Sequence, residues 1–206
     1  MFYFVKTPWL LKKLYPGCVW NFPRGEKKIY LSFDDGPHPE ATPLILDQLK
    51  KFNAVATFFC IGKNVREQPL LYKRILDEGH RVGNHSHNHL NGWKTKNETY
   101  IDNIREAMKY IDSDLYRPPY GRITRFQASI LQKSFRLKII MWDVLSADFD
   151  KTISGEKCAR NVTSNAGPGS IVIFHDSAKA YDRMSIALPK VLTHFQEKNY
   201  SFELIR

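Results

Sequence analysis

Three observations predict an α/β fold, a distorted seven-stranded (β/α) barrel forming a single domain. Short apolar runs alternate with amphipathic stretches along nearly the whole chain, the pattern of a parallel sheet whose strands are linked by helices. At 206 residues the chain is long enough for one sizeable core, and its length favours one domain over two. Seven runs read as strands, one short of a regular eight-stranded barrel, so incomplete closure is expected ahead of the alternative, an open doubly wound sheet.

The elements follow in order. Lys28 to Phe33 is an apolar, aromatic-rich strand that stops at two adjacent carboxylates, Asp34 and Asp35, where Gly36-Pro37 bends the chain away. Ile45, Leu46, Leu49 and Phe52 recur at helical spacing between Pro39 and Phe52, and Thr42-Pro43 suits a cap followed by a first-turn proline. Residues 55–61 form a second strand ended by Gly62, and a helix opening near Pro69 stops at Gly79. Residues 80–83 are a short third strand. Ile101, Ile104, Met108 and Ile111 share one face of a helix over 98–111, and residues 115–117 are a strand halted by Pro118-Pro119. A helix over 123–135, a strand over 137–142, a serine-capped helix over 154–165 and a strand over 170–174 continue the alternation. A helix over 186–198 and a seventh strand over 201–205 complete it.

In both architectures ligands bind at the carboxyl ends of the strands. Those ends carry Asp34-Asp35, the run Asn84-His85-Ser86-His87-Asn88-His89, Arg117-Pro118-Pro119-Tyr120-Gly121, then Asp143 and Asp148, and His175-Asp176. Chemistry-bearing residues therefore collect on one face. His85 and His89 are four apart, which puts two imidazoles on one side of a helical turn, although an extended segment would align His87 with both. The favoured reading is His85 and His89 with one carboxylate around a catalytic metal; the plain reading is a histidine-rich loop without one. Metal-assisted hydrolysis needs a Lewis acid, a base for the attacking water and an acid for the leaving group. One carboxylate of the pair can bind metal while the other acts as base, His175 can serve the leaving group, and Arg117 is the cation available to keep a buried base ionised. An ordinary ion pair for Arg117 and a core histidine for His175 remain open at this point.

Composition excludes other classes. A hydrophobic content of 43% and charged content of 25% are ordinary for a globular domain, with no repeat or low-complexity tract. The net charge of +10 is spread in pairs such as Lys12-Lys13 and Lys50-Lys51, without an aromatic-basic motif, so a solvated basic surface is expected and nucleic acid is not a partner. Such a surface would suit an anionic cell-wall polymer. Cys18, Cys60 and Cys158 are far apart and form no disulfide framework. Residues 1–26 read as an extension packed on a domain spanning 27–206. The extension is interrupted by Lys6, Pro8 and Lys12-Lys13, so it reads neither as a signal peptide nor as a membrane span, and cytoplasmic location is the default. Trp9, Leu10, Leu11, Leu14 and Tyr15 are expected to form a short amphipathic turn packed on the domain, with interfacial membrane contact as the alternative.

The motifs Ser32-Phe33-Asp34-Asp35-Gly36, His85-Ser86-His87-Asn88-His89, Arg117-Pro118-Pro119-Tyr120-Gly121, Leu145-Ser146-Ala147-Asp148-Phe149 and Ile171-Val172-Ile173-Phe174-His175 resemble, in order, the five motifs of the NodB-homology polysaccharide deacetylases, carbohydrate esterase family four. The resemblance covers roughly residues 27 to 205 and implies a distorted (β/α) barrel that removes acetyl groups from sugars with a divalent metal, usually zinc. It implies Asp34 as catalytic base, Asp35, His85 and His89 as metal ligands, and Arg117 as the residue orienting Asp34. It further implies the Tyr120 backbone N–H at the oxyanion, His175 as acid tuned by Asp148, and Ile173 in the wall receiving the acetyl methyl. Motif four departs from the family, which often has Asp and Trp where this chain has Leu145 and Phe149. The family also usually works outside the cytoplasm. The expected activity is metal-dependent hydrolysis of the acetamide of an N-acetylated glycan, chitin- or peptidoglycan-like, to acetate and free amine. The alternatives are a non-catalytic module binding acetylated glycan and an O-acetyl esterase of the same fold.

Overall fold

The structure is a computed structural model describing residues 3–206. Its centre is β1 (Lys28–Asp34), buried without interruption from Leu31 through Ser32 and Phe33 to Asp34, as a strand covered on both faces requires. β1 pairs in parallel with β2 (Thr57–Cys60) on one side and β7 (Ile171–His175) on the other. Beyond β2 lie β3 (Arg81–Asn84), β4 (Leu115–Tyr116) and β5 (Lys138–Ile139); beyond β7 lies β6 (Val144–Leu145). The path β5-β4-β3-β2-β1-β7-β6 is parallel throughout, and β8 (Ser201–Phe202) adds to the amino end of β1. Seven parallel strands thus curl into a distorted half-barrel, as expected.

Helices cover the outside. α2 (Ala41–Lys51) and α8 (Tyr181–Glu197) bury Ile45, Leu46, Leu49, Leu188, Val191, Leu192 and Phe195 in one core with Phe33, Phe58 and Phe174. At about 2 kcal/mol for each large side chain removed from water, this layer dominates the stability. α4 (Pro69–Asp77), α5 (Asn97–Ala107), α6 (Arg125–Ser134) and α7 (Gly155–Thr163) complete the layer, with the short α3 (Gly62–Glu67) between β2 and α4. α6 opens with a capping box between Thr124 and Gln127, and the predicted cap of α7 is present, Ser154 Oγ accepting the Lys157 N–H at 3.2 Å.

Several boundaries differ from the expectation. The predicted strand over 137–142 stops at Ile139, because the carbonyls of Ile140, Met141 and Trp142 accept from Arg117 Nε, Arg117 Nη2 and Thr7 Oγ1 rather than from a neighbouring strand. β6 then forms separately, and the periodicity did not predict it. Thr42 is not a cap: it lies inside α2, where its hydroxyl accepts from the His38 N–H and donates to Asp176. α8 begins five residues before the predicted start at Ile186.

The edges β5 and β6 are not paired with each other, and the amino-terminal extension fills the gap between them. Residues 5–7 run antiparallel to β6, with Leu145 N–H bonded to Val5 O at 2.8 Å and Thr7 N–H to Asp143 O at 2.9 Å. Val19 pairs parallel to Ile140, and Asn21 bridges to Ser170 ahead of β7. The seam is pinned by Asp143, a completely buried carboxylate that accepts from Lys6 Nζ at 2.6 Å, Lys12 Nζ at 2.6 Å and Ser170 Oγ at 2.7 Å. Asp143 was expected among the carboxyl-end groups. It instead precedes β6, at the opposite end of the barrel. α1 (Trp9–Leu14) is helical, but it does not pack its apolar side on the domain: none of its residues is buried, and Lys12 is the side chain turned inward.

Candidate metal and catalytic centre

Register brings the site together. Asp34 ends β1 directly opposite His175 on β7 and Phe59 on β2, and Asn84, ending β3, leads into the histidine run. Asp35, Ser86, His89 and Tyr120 all take positive φ, 87°, 63°, 55° and 60°, so the backbone leaves the strands abruptly at these positions.

Asp34 is buried beside Arg117, whose Nη1 donates to Asp34 Oδ1 at 2.6 Å and to Ser32 Oγ at 2.8 Å. Arg117 is itself completely buried, donates to the carbonyls of Ile140 and Met141, and lies 4.0 Å over the Phe59 ring. Its planar fork therefore has one orientation, and that orientation fixes Asp34 Oδ1. Burial raises the Asp34 pKa to about 6 in spite of the opposing charges of Arg117 and His175. An acidic turn in solvent is excluded for Asp34.

Asp35, His85 and His89 form the one group of three among the described residues with ligand atoms mutually within 4.8 Å. His89 Nε2 and His85 Nε2 stand 3.2 Å and 3.6 Å from Asp35 Oδ1. Tetrahedral coordination with bonds of about 2.1 Å separates neighbouring ligand atoms by about 3.4 Å, so this spacing fits a metal such as zinc. Two further observations agree. Asp35 Oδ1 is buried without a hydrogen-bond partner, which is costly unless a cation satisfies it. His85 Nδ1 lies 2.8 Å from Arg117 O; as the donor there it leaves Nε2 with its lone pair toward the group. Burial, then the neighbouring His89, holds the His85 pKa well below the usual histidine range, in the neutral form that ligates. His87, the third member of the run, is not part of the group: it is buried against Tyr110, ring centroids 5.7 Å apart.

His175 is held by Asp148, whose Oδ1 lies 2.7 Å from Nδ1 and whose Oδ2 accepts the His175 backbone N–H at 2.8 Å. Asp148 is completely buried. Burial pushes the imidazolium pKa down, but the charge and hydrogen bond of Asp148, with Asp35 and Asp34 beyond, outweigh it and raise it to about 9. Ile173, two residues before His175 and on the same face of β7, pairs in register with Leu145 and clusters with Ala147, Trp142 and Phe149. Leu145 and Phe149 thus build one apolar wall, and the Phe149 ring meets His175 edge-on at 5.3 Å. Tyr120 is exposed, with its ring 4.5 Å from that of His89.

Two contributors carried no role in the sequence. Asp176 is buried and clamps the loop after β1, accepting the Gly36 N–H and the Thr42 hydroxyl, each at 2.8 Å. A Cβ at Gly36 would overlap that carboxylate, which explains the glycine after the acidic pair. Tyr3, from the extension, donates to Asp150 at 2.6 Å and packs on Phe149 at 5.5 Å, reaching the same wall. The adjacency of Asp176 to His175 was a signal for the first; nothing in the pattern indicated the second.

The polysaccharide deacetylase family model matches residues 22–135. A peptidoglycan-N-acetylglucosamine deacetylase from Bacillus cereus is 36% identical over 211 residues, covering 96% of this chain and 98% of that protein. The peptidoglycan-N-acetylmuramic acid deacetylase PdaA of Bacillus subtilis is 34% identical over 87% of this chain and 70% of its own length. Among solved structures, the peptidoglycan N-acetylglucosamine deacetylase Bc1960 superposes with a TM-score of 0.87 at 31% identity, covering 97% of this chain and 95% of that one. A pseudoenzyme of carbohydrate esterase family four from Bacillus anthracis superposes with a TM-score of 0.80 at 26% identity, covering 95% of this chain and 69% of that one.

Proposed function

The chain belongs to the polysaccharide deacetylase family, and from that premise we propose that Asp34, Asp35, His85, His89, Arg117, Asp148 and His175 carry out metal-dependent hydrolysis of the acetamide of a peptidoglycan- or chito-oligosaccharide-type glycan. The protein is a polysaccharide N-deacetylase, a hydrolase of C–N bonds. The single observation that carries the assignment of roles is the division between the two neighbouring carboxylates. Asp35 Oδ1 accepts no hydrogen bond and faces two imidazole nitrogens, whereas Asp34 Oδ1 is committed to Arg117.

Asp35, His85 and His89 would hold a divalent cation, zinc being the best fit to two nitrogens and one oxygen. When bound, the cation supplies Lewis-acid polarisation of the acetamide carbonyl and makes water a stronger acid. Asp34, ionised and aimed by Arg117, takes the proton of the attacking water. The Tyr120 ring lies 4.5 Å from that of His89, and the Tyr120 backbone N–H, in the turn Pro119–Gly121, would donate to the developing oxyanion. His175, protonated at neutral pH because Asp148 holds its Nδ1 side, gives a proton to the departing amine. Ile173, with Leu145 beside it, forms the apolar surface for the acetyl methyl. Acetate and a free amino sugar result.

The pseudoenzyme relative makes the non-catalytic reading worth weighing, since the fold alone does not guarantee turnover. The presence of Asp34 bonded to Arg117 and of His175 bonded to Asp148 supports catalysis. Acetate release from N-acetylated chito-oligosaccharides and from peptidoglycan, measured before and after chelation and after zinc is restored, tests it. Release that stops on chelation and returns with zinc is expected; release indifferent to chelation would refute the mechanism.

A further inference from the structure

We propose that α1 is an interfacial anchor that docks this protein onto an anionic lipid surface. The helix is built inside out. Lys12 turns inward, its Nζ 2.6 Å from the buried Asp143 and 3.0 Å from Asn21 Oδ1, so the charged side chain faces the protein. The apolar side chains face out: Trp9 is 65% exposed, Leu10 57%, Leu14 44% and Leu11 37%. A helix resting on a soluble domain normally shows the reverse arrangement. Scattered exposed leucines are commonplace, but four large apolar side chains within one short helix make a contiguous patch that asks for a partner.

The charge around the patch indicates which partner. Residues 1–25 contain Lys6, Lys12, Lys13 and Arg24 and no carboxylate. Lys13 Nζ lies 4.5 Å over the Trp9 ring, and Arg125 from α6 reaches the Leu14 carbonyl, so cations rim the apolar face. Indole and leucine side chains edged by lysine and arginine suit the headgroup boundary of an anionic bilayer, which takes the apolar face and the cations together. A soluble anionic polymer would engage the cations and leave Leu10 and Leu14 in water. A second copy would bring another +10 charge against the first.

The placement is consistent with use. Lys12 anchors α1 to Asp143, which precedes β6, and to the end of the barrel where Ser170 precedes β7. Asp35, His85 and His89 lie past the carboxyl ends of their strands. A bilayer under α1 therefore leaves the metal-binding face open to substrate, and docking is separable from turnover.

The test is co-sedimentation of the full chain with mixed phosphatidylglycerol–phosphatidylcholine vesicles and with pure phosphatidylcholine vesicles. It is repeated for Leu10→Glu/Leu14→Glu and for Lys13→Glu, with acetate release from a soluble substrate as the check that each variant is folded. The wild type is expected to bind the anionic vesicles with a blue shift of tryptophan emission. Partitioning should fall about tenfold or more on pure phosphatidylcholine and in the double variant, less in Lys13→Glu, with turnover unchanged. A wild type that stays in the supernatant with anionic vesicles overturns the proposal. So does binding that survives in the double variant, or a concentration-dependent dimer that the double variant dissolves, which would give the face to a second copy.

Discussion

Asp34 and Asp143 are both buried aspartates in this barrel, one at each end, and they have opposite characters. Asp143 is fully neutralised: two lysines and a serine converge on it, and although burial works against the carboxylate, those hydrogen bonds hold its pKa below the usual range. Asp34 has one hydrogen-bonded cation, Arg117, with the charge of His175 beyond it, and burial prevails, leaving its pKa at about 6. Identical chemistry serves structure in one place and, in the proposed mechanism, stays available for proton transfer in the other. The number and kind of partners decide which, because a carboxylate that is over-satisfied is a poor base and one that is under-satisfied is a costly strut.

The largest expected effect on this contrast comes from Asp34→Asn, which should lower turnover about a thousandfold while the denaturant midpoint hardly moves, because burial already opposes the ionised Asp34 and the amide oxygen still accepts from Arg117. Acetate release and urea unfolding on one preparation check both halves. Next comes Asp148→Asn. It removes the main influence raising the His175 pKa to about 9 and leaves burial to lower it, so the proton needed for the leaving amine is lost at neutral pH. Turnover at neutral pH should drop about a hundredfold and the alkaline limb of the profile should move to lower pH. The sign for stability follows from linkage. A histidine raised from 6.5 to about 9 on folding contributes stability that is complete below about 6.5 and is lost as pH rises through 9; in Asp148→Asn that slope should flatten in urea titrations across this window.

Asp143→Asn should reverse the pattern of Asp34→Asn. It leaves Lys6 and Lys12 beside a neutral amide, and unfolding free energy should fall by about 2 kcal/mol with turnover within about twofold of wild type. The smallest effect is expected for Asp176→Ala, which frees Gly36 N–H and the Thr42 hydroxyl beside Asp35. Zinc affinity, read by competition with a chromophoric chelator, should weaken about tenfold, with Asp176→Asn recovering part of it because its carbonyl still accepts from Gly36.

The legibility of these features in the sequence follows their range. The alternation of strands and helices, the open barrel and the residues gathered at the carboxyl ends of the strands were readable because short-period patterns and strand-end position report them directly. His85 and His89 were distinguishable from His87 only by spacing, and Tyr110 settles the difference by stacking on His87 from the turn after α5. β6 was missed because side chains, Arg117 and Thr7, rather than a strand partner, take the carbonyls before it. Asp143 was assigned to the wrong end for the same reason. The inverted polarity of α1 was hidden because its cause, a carboxylate 131 residues away, leaves no periodic trace. Contacts made at long range by single side chains are what local patterning does not encode.

The central claim is that adjacent carboxylates divide the labour, Asp35 holding the metal and Asp34 serving the water. Zinc titration of Asp34→Asn and Asp35→Asn, side by side with the wild-type chain and followed by calorimetry, tests it most directly. One ion per chain with near wild-type affinity in Asp34→Asn, and affinity weakened at least about a hundredfold in Asp35→Asn, is the predicted result. Loss of zinc from Asp34→Asn together with its retention in Asp35→Asn would contradict the assignment.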